Sequence, residues 1–222
     1  MKRTGITALV FLLIGLGIGY FLFRTSEKNL SGSSQSPSPS AAVTSETSYP
    51  DNTYAGEMAV VKEAFTALDF IKTGSYDKLA EMVHPDDGVY FVPYSYVNLD
   101  DNMHFTAEQT ANFATDETSY LWGYTDGEGA PINLSPKQYF EKYVYNEDYE
   151  SAPIISRNYI VRTGNSIENV QEVFPDCQFV DFHFPGFDEQ VGGMDWCTLR
   201  LVFHEYEDTY KIVAIIHAQW TI

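Results

Sequence analysis

Residues 215–222 read "IIHAQWTI", and they set His217, Gln219 and Trp220 behind two large apolar side chains. An imidazole titrates near neutrality and moves protons when a carboxylate orients it. Beside an indole, a guanidinium and an amide it makes a binding patch instead. The preceding run "MDWCTLRLVFHEY" supplies that indole and guanidinium as Trp196 and Arg200, four residues apart. A second imidazole, His183, stands two residues from Asp181 in "VDFHF", and Tyr94 and Tyr96 offer phenols in "VPYSYV". The nucleophile classes fail on inventory: there is no GxSxG, no phosphate loop and no HExxH.

The placement of these groups depends on the elements that carry them. Glu207 and Asp208, taken as a two-residue turn, join two long strands in which paired positions sum to 415. Cys197, Leu199, Leu201 and Phe203 then share an apolar face with Trp220, Ala218, Ile216 and Ile212. The opposite face carries Trp196, Thr198 and Arg200 with His217 and Gln219. On this reading Trp220 is core, and Trp196, Arg200, His217 and Gln219 form a candidate surface patch. Alternation in "CQFVDFHF" likewise sends Phe182 and Phe184 inward and turns Asp181 and His183 to solvent. Cys197 is expected on the core face, where a thiol is inert. A Cys177–Cys197 disulfide is permitted outside the cytoplasm, with two free thiols as the alternative. No metal site and no cofactor are expected. Asp126 and Glu128 lack the third EF-hand ligand, because Ala130 stands in its place.

Upstream, Met58, Val61, Phe65 and Leu68 recur at helical spacing, with Gly74 as a stop. Ser75 is placed to cap a second short helix that ends before Pro85, and "VYFVPYSYV" reads as a strand. Thr106 with Gln109, and Ser135 with Gln138, fit the capping box, and the second has Pro136 at the first helical position. "WGYTDGEGAPINL" reads as a loop, "NYIVRTGNS" as strand then turn, and "SIENVQEVF" as a short helix.

Residues 1–28 form a separate unit. Lys2 and Arg3 precede 19 uncharged residues, Gly5 to Phe23, long enough at about 28 Å to span a bilayer as a helix. The run closes on "YFLFRTS", bulky where a signal peptidase wants small residues, which favours an uncleaved signal anchor over a cleaved signal peptide. Residues 29–50 hold eight serines and three prolines, the composition of a flexible tether with a reach of about 26 Å. Residues 51–222 suffice for one domain with a full core. Beyond residue 28 the chain holds 9 basic against 30 acidic residues, a formal charge of −21, which repels phosphates and makes nucleic acid and anionic lipid surfaces poor partners; no nucleic acid partner is expected.

The order helix, helix, strand, further helices, then antiparallel strands resembles the nuclear transport factor 2-like fold, an α+β cone in which a curved antiparallel sheet wraps a long first helix. "AFTALDFIKTGSYDKLAEMVHPDDGVYF" looks like the opening of such domains. "WGYTDGEGAPINLSPKQYFEKYVY" and "FHFPGFDEQVGGMDWCTLRLVF" are similar to a module of uncharacterised secreted proteins of Gram-positive spore-formers. The resemblance implies a homodimer through sheet faces. It also implies that ketosteroid isomerase-like or scytalone dehydratase-like chemistry would place Asp, Tyr or His inside the cone; no catalytic residue matches those enzymes' motifs. The expectation is a single-pass membrane protein that displays an extracytoplasmic α+β binding domain. Its partner would be a protein, an envelope component or a small molecule. The alternative is an isomerase, dehydratase or hydrolase that uses the cone cavity.

Overall fold

The structure is a computed structural model and describes residues 51–221. The expected span at 5–23 and the tether at 29–50 lie outside the described residues. Among the described residues no helix is long and apolar enough to cross a membrane.

Helix α1 (Asp51–Thr73) packs on the sheet through Val60, Ala64, Ala67, Leu68 and Ile71. That stripe is rotated from the expected one, and Met58 and Phe65 are exposed. The reason is steric: Ala64 and Ala67 let the helix backbone approach the sheet, an economy that large apolar residues would prevent. Gly74 follows in the left-handed region, as a helix stop requires. In α2 (Tyr76–Met82) Ser75 is the N-cap by position, but its hydroxyl meets Thr73 and makes no cap bond. Both expected capping boxes are present, Thr106/Gln109 at α3 (Ala107–Ala111) and Ser135/Gln138 at α4 (Pro136–Tyr139). Beyond α4 the chain widens into a π turn, Phe140–Val144.

A curved six-stranded sheet has the order β2-β1-β8-β7-β6-β5. Its strands are β1 (Val89–Val92), β2 (Met103–Phe105), β5 (Ile154–Arg157), β6 (Gln178–Phe184), β7 (Cys197–Tyr206) and β8 (Thr209–Gln219). The sheet is mixed rather than purely antiparallel, because β1 lies parallel to β8. The stretch expected as a glycine-rich loop forms a hairpin of its own, β3 (Tyr120–Tyr124) with β4 (Pro131–Leu134). "NYIVRTGNS" contributes no strand.

Both faces of the sheet are covered. One carries the helices and the main core, where Phe91, Phe105, Phe113, Trp122, Tyr139 and Phe140 pack ring against ring. The other carries a smaller core of Val92, Val97, Phe179, Val202, Ala214 and Ile216, closed by Val170 and by Val173 and Phe174 of the segment that contains α5 (Val170–Val173).

The β7–β8 register decides which face each candidate residue occupies. At the hairpin tip Tyr206 pairs with Thr209 and Phe203 with Ile212, as a two-residue turn dictates. Val202 then pairs with Ala214, so Val213 is an extra residue on β8 and the ladder shifts by one. From there Arg200 faces Ile216, Leu199 faces His217 and Cys197 faces Gln219. Every β8 residue beyond the bulge is therefore turned to the face opposite the one expected.

Candidate functional site

Trp196, Arg200, His217 and Gln219 do not form a surface patch. Trp196 and Arg200 are fully buried under the segment 160–170, and Gln219 is half-buried. The backbone of Gly164 lies on the Trp196 indole, and the Arg162 guanidinium sits 5.7 Å from that ring. Arg200 is held by two carboxylates: Nε and Nη2 donate to Asp181 at 2.6 and 2.9 Å, and Nη1 donates to Glu168 at 2.7 Å. A buried guanidinium needs such partners, since an unpaired one costs several kcal/mol. Asp181 and His183, expected in solvent, are buried with it, and His183 Nδ1 shares a 2.8 Å hydrogen bond with Thr198. Burial, with Arg162 nearby, lowers the His183 pKa to about 4. The alternation was correct, but the outer face is roofed by backbone and is not open to water.

His217 lies on the helix side, away from Trp196 and Arg200, because of the bulge at Val213. Its ring stands edge-on to Tyr143 at 5.8 Å, and Nδ1–H donates to the Pro93 carbonyl at 3.3 Å. A carbonyl only accepts, so the proton is on Nδ1 and the lone pair on Nε2. Nε2 is buried and meets no hydrogen-bond partner, and the same is true of the Tyr139 hydroxyl. Tyr139 stacks on Tyr143 at 5.2 Å and on Trp122 at 3.8 Å. Burial lowers the His217 pKa to about 4 and raises the Tyr139 phenol well above its ordinary value. Trp220, expected in the core, is instead 37% exposed.

Pro93 and Tyr94 connect this cluster to a cleft of about 560 Å³ between the β1–β2 connection and the β3–β4 hairpin. Tyr94 contacts Tyr143 at 6.2 Å between ring centres. Burial raises the Tyr94 phenol, and the backbone of Asp126 works against it. Tyr96 and Tyr124 stand at the cleft with 51% and 58% of their surfaces exposed. Asn98, Asn102 and Asp126 supply polar groups at the same cleft. Two features hold its walls. Asn169 clamps Val97 by accepting from its N–H at 2.8 Å and donating to its carbonyl at 2.9 Å. Gly123, at φ +145°, lets the hairpin approach Pro93, where a Cβ would come within 3.2 Å of the ring.

A proton-transfer site needs a base whose pKa lies near the working pH and room for substrate beside it. His217 at about 4 is a weak base, and rings fill the space around it. The cleft, by contrast, is open and offers apolar ring surface with amides and the carboxylates of Asp101 and Asp126.

The cysteines are free thiols. Cys177 adjoins Gln178, whose partner is Phe203, while Cys197 pairs with Phe184, so they stand at opposite ends of the β6–β7 ladder, about 23 Å apart. A disulfide cannot bridge that distance. Among the described residues one group has the composition of a metal site, His84, Asp87 and His204, at the far end of β8 from His217. The sequence reading missed it because His84 and Asp87 belong to a turn, while His204 comes from a strand more than a hundred residues later.

No family model matches the sequence, and no curated protein is significantly similar to it. Similar solved structures include a domain of unknown function with a cystatin-like fold from Nostoc punctiforme: 14% identity, 77% of this chain and 81% of that one, TM-score 0.35. A calcium/calmodulin dependent protein kinase II association domain from Xanthomonas campestris matches at 16% identity, 77% and 90% coverage, and TM-score 0.31. The beta subunit of a benzoate 1,2-dioxygenase from Burkholderia mallei matches at 14% identity, 72% and 87% coverage, and TM-score 0.26.

Proposed function

We propose that the chain is a membrane-tethered, extracytoplasmic binding protein. Its domain, 51–222, is a nuclear transport factor 2-like cone that takes a neutral or cationic, hydroxyl-rich small ligand of saccharide type. The observation that carries this reading is the cleft with exposed Tyr96 and Tyr124 beside Asn98, Asn102 and Asp126. Sugar rings lay apolar C–H faces on aromatic rings and direct their hydroxyls to amides and carboxylates; such pockets bind through a few placed polar groups on an apolar floor. The acidic domain repels anionic ligands. Support for the tether comes from the composition of residues 1–50.

The alternative, an isomerase, dehydratase or hydrolase, would draw on His217 Nε2 and the Tyr139 hydroxyl, two buried polar atoms that meet no hydrogen-bond partner. The low basicity of His217 weighs against it.

Ligand-observed NMR on the full-length chain in detergent, with neutral and anionic oligosaccharides as probes, tests the reading. Neutral sugars are expected to bind, and Tyr96→Ala and Tyr124→Ala each to weaken binding about tenfold without changing the melting temperature. Equal binding of the anionic sugars, no binding at all, or binding unchanged in the double variant would discard it.

A further inference from the structure

Three of the chain's five histidines, His84, His104 and His204, gather around Asp87. The turn "HPDDG" after α2 folds back because Gly88 adopts φ +64°, and a Cβ there would lie 2.6 Å from both His104 Nε2 and the Phe105 carbonyl. The turn brings the Asp87 carboxylate to 3.2 Å from His84 Nδ1, and its Oδ2 also lies 3.4 Å from His204 Nδ1 on β7. The two imidazoles stack at 5.3 Å, and one ligand atom from each of the three residues lies within 4.8 Å of the others.

These separations have a chemical meaning. Ligands about 2.0–2.1 Å from a tetrahedral ion stand about 3.3 Å from one another, which is the nitrogen–oxygen spacing found here. His84 Nδ1 accepts the Asp87 N–H at 3.0 Å, so this nitrogen is unprotonated, and an ion bound there takes the place of that hydrogen bond on its single lone pair. His84 is buried, whereas Asp87 and His204 face a groove of about 440 Å³ also lined by Tyr90, Phe174, Asp176 and Cys177. Lys211, opposite His204 in the ladder, turns its ammonium away to the Glu81 carbonyl at 2.7 Å. Two imidazoles with one carboxylate suit borderline transition-metal ions rather than calcium or magnesium.

We propose that His84, Asp87 and His204 bind one divalent transition-metal ion of the zinc class, with its remaining coordination position open to the groove beside Asp176 and Cys177. The site joins the turn after α2 to the tip of the β7–β8 hairpin. It is independent of the saccharide cleft.

The test uses the untagged full-length chain in detergent. Cobalt(II) is titrated while the visible ligand-field band is recorded, and zinc per chain is measured after dialysis against zinc. Wild type is expected to bind one ion and to melt at a higher temperature with zinc. His204→Ala and Asp87→Asn are expected to lose at least about tenfold in affinity and to show no zinc-dependent rise in melting temperature. His104→Ala, whose ring hydrogen-bonds the Asp87 carbonyl and lies against Gly88 and Tyr90, is expected to stay within about twofold of wild type. Near-ultraviolet circular dichroism identifies any variant that has failed to fold; the zinc-dependent shift of wild type stands without variants. Absence of the cobalt band and of that shift overturns the proposal. So does affinity unchanged in both ligand variants, or lost equally in His104→Ala.

Discussion

His217 pairs with Leu199 across the β7–β8 ladder, one residue out of the register that the turn sets at Tyr206 and Thr209. The single extra residue, Val213, carries His217 to the helix side and leaves Trp220 at the surface. Removing it must reverse every side chain from Ala214 onward. Deletion of Val213 is therefore expected to cost more than about 3 kcal/mol or to abolish folding. Urea denaturation reads the effect, and a cost below about 1 kcal/mol would mean that the bulge does not set the register.

Arg200 is a core residue, so its replacement acts on stability rather than on surface association. Arg200→Met leaves Asp181 and Glu168 buried without their cation, and an expected loss of about 3–5 kcal/mol follows. Replacing all three charges together, Arg200→Met with Asp181→Leu and Glu168→Leu, should recover most of that loss, because the desolvation cost disappears with the pair. Comparing the urea midpoints of the two proteins decides the point: a single variant as stable as wild type contradicts the burial.

The two buried histidines predict a pH dependence. His183 and His217 have folded pKa values of about 4 against an ordinary 6.5. Between those values the unfolded chain binds protons that the folded chain refuses, so stability is complete above pH 6.5 and falls as the pH drops towards 4. Each histidine contributes a slope of up to about 1.4 kcal/mol per pH unit. Urea midpoints at pH 7 and pH 5 should differ accordingly, and His217→Phe should reduce the difference by about half. A flat profile across that range would show that neither ring is excluded from protonation.

Free thiols follow from the strand order. Both Cys177 and Cys197 should alkylate in urea without reductant, and mass spectrometry of the labelled chain counts them. In the native state Cys197, buried in the main core beside Tyr149, should react far more slowly than half-buried Cys177. A chain that takes up no label until reduced would require a different ladder.

Local chemistry was legible in the sequence. Ser135 and Thr106 start helices because each hydroxyl accepts the N–H of the glutamine three residues on, while that glutamine's side chain accepts the N–H of the serine or threonine, a contact within one turn of chain. The strands 178–184, 197–206 and 209–219 were legible from alternation and apolar content alone. The helix face was not. Ala64 and Ala67 carry little hydrophobic signal, and they matter because the sheet comes close.

Composition, charge, the capping boxes and the hairpin turn were properties that the sequence by itself determined, since each depends on residues adjacent in the chain or on their sum. The candidate sites were decided only by tertiary structure. Alternation placed Asp181, His183 and Arg200 on one face correctly, yet whether that face meets water depends on the segment 160–170 packing over it. A bulge at Val213 sends His217 inward, and no propensity of valine announces it. His84, Asp87 and His204 meet only because a glycine turn and a strand more than a hundred residues later share one edge of the fold. Periodicity records which side chains share a face; it carries no information about what comes to cover that face, because covering is a long-range contact.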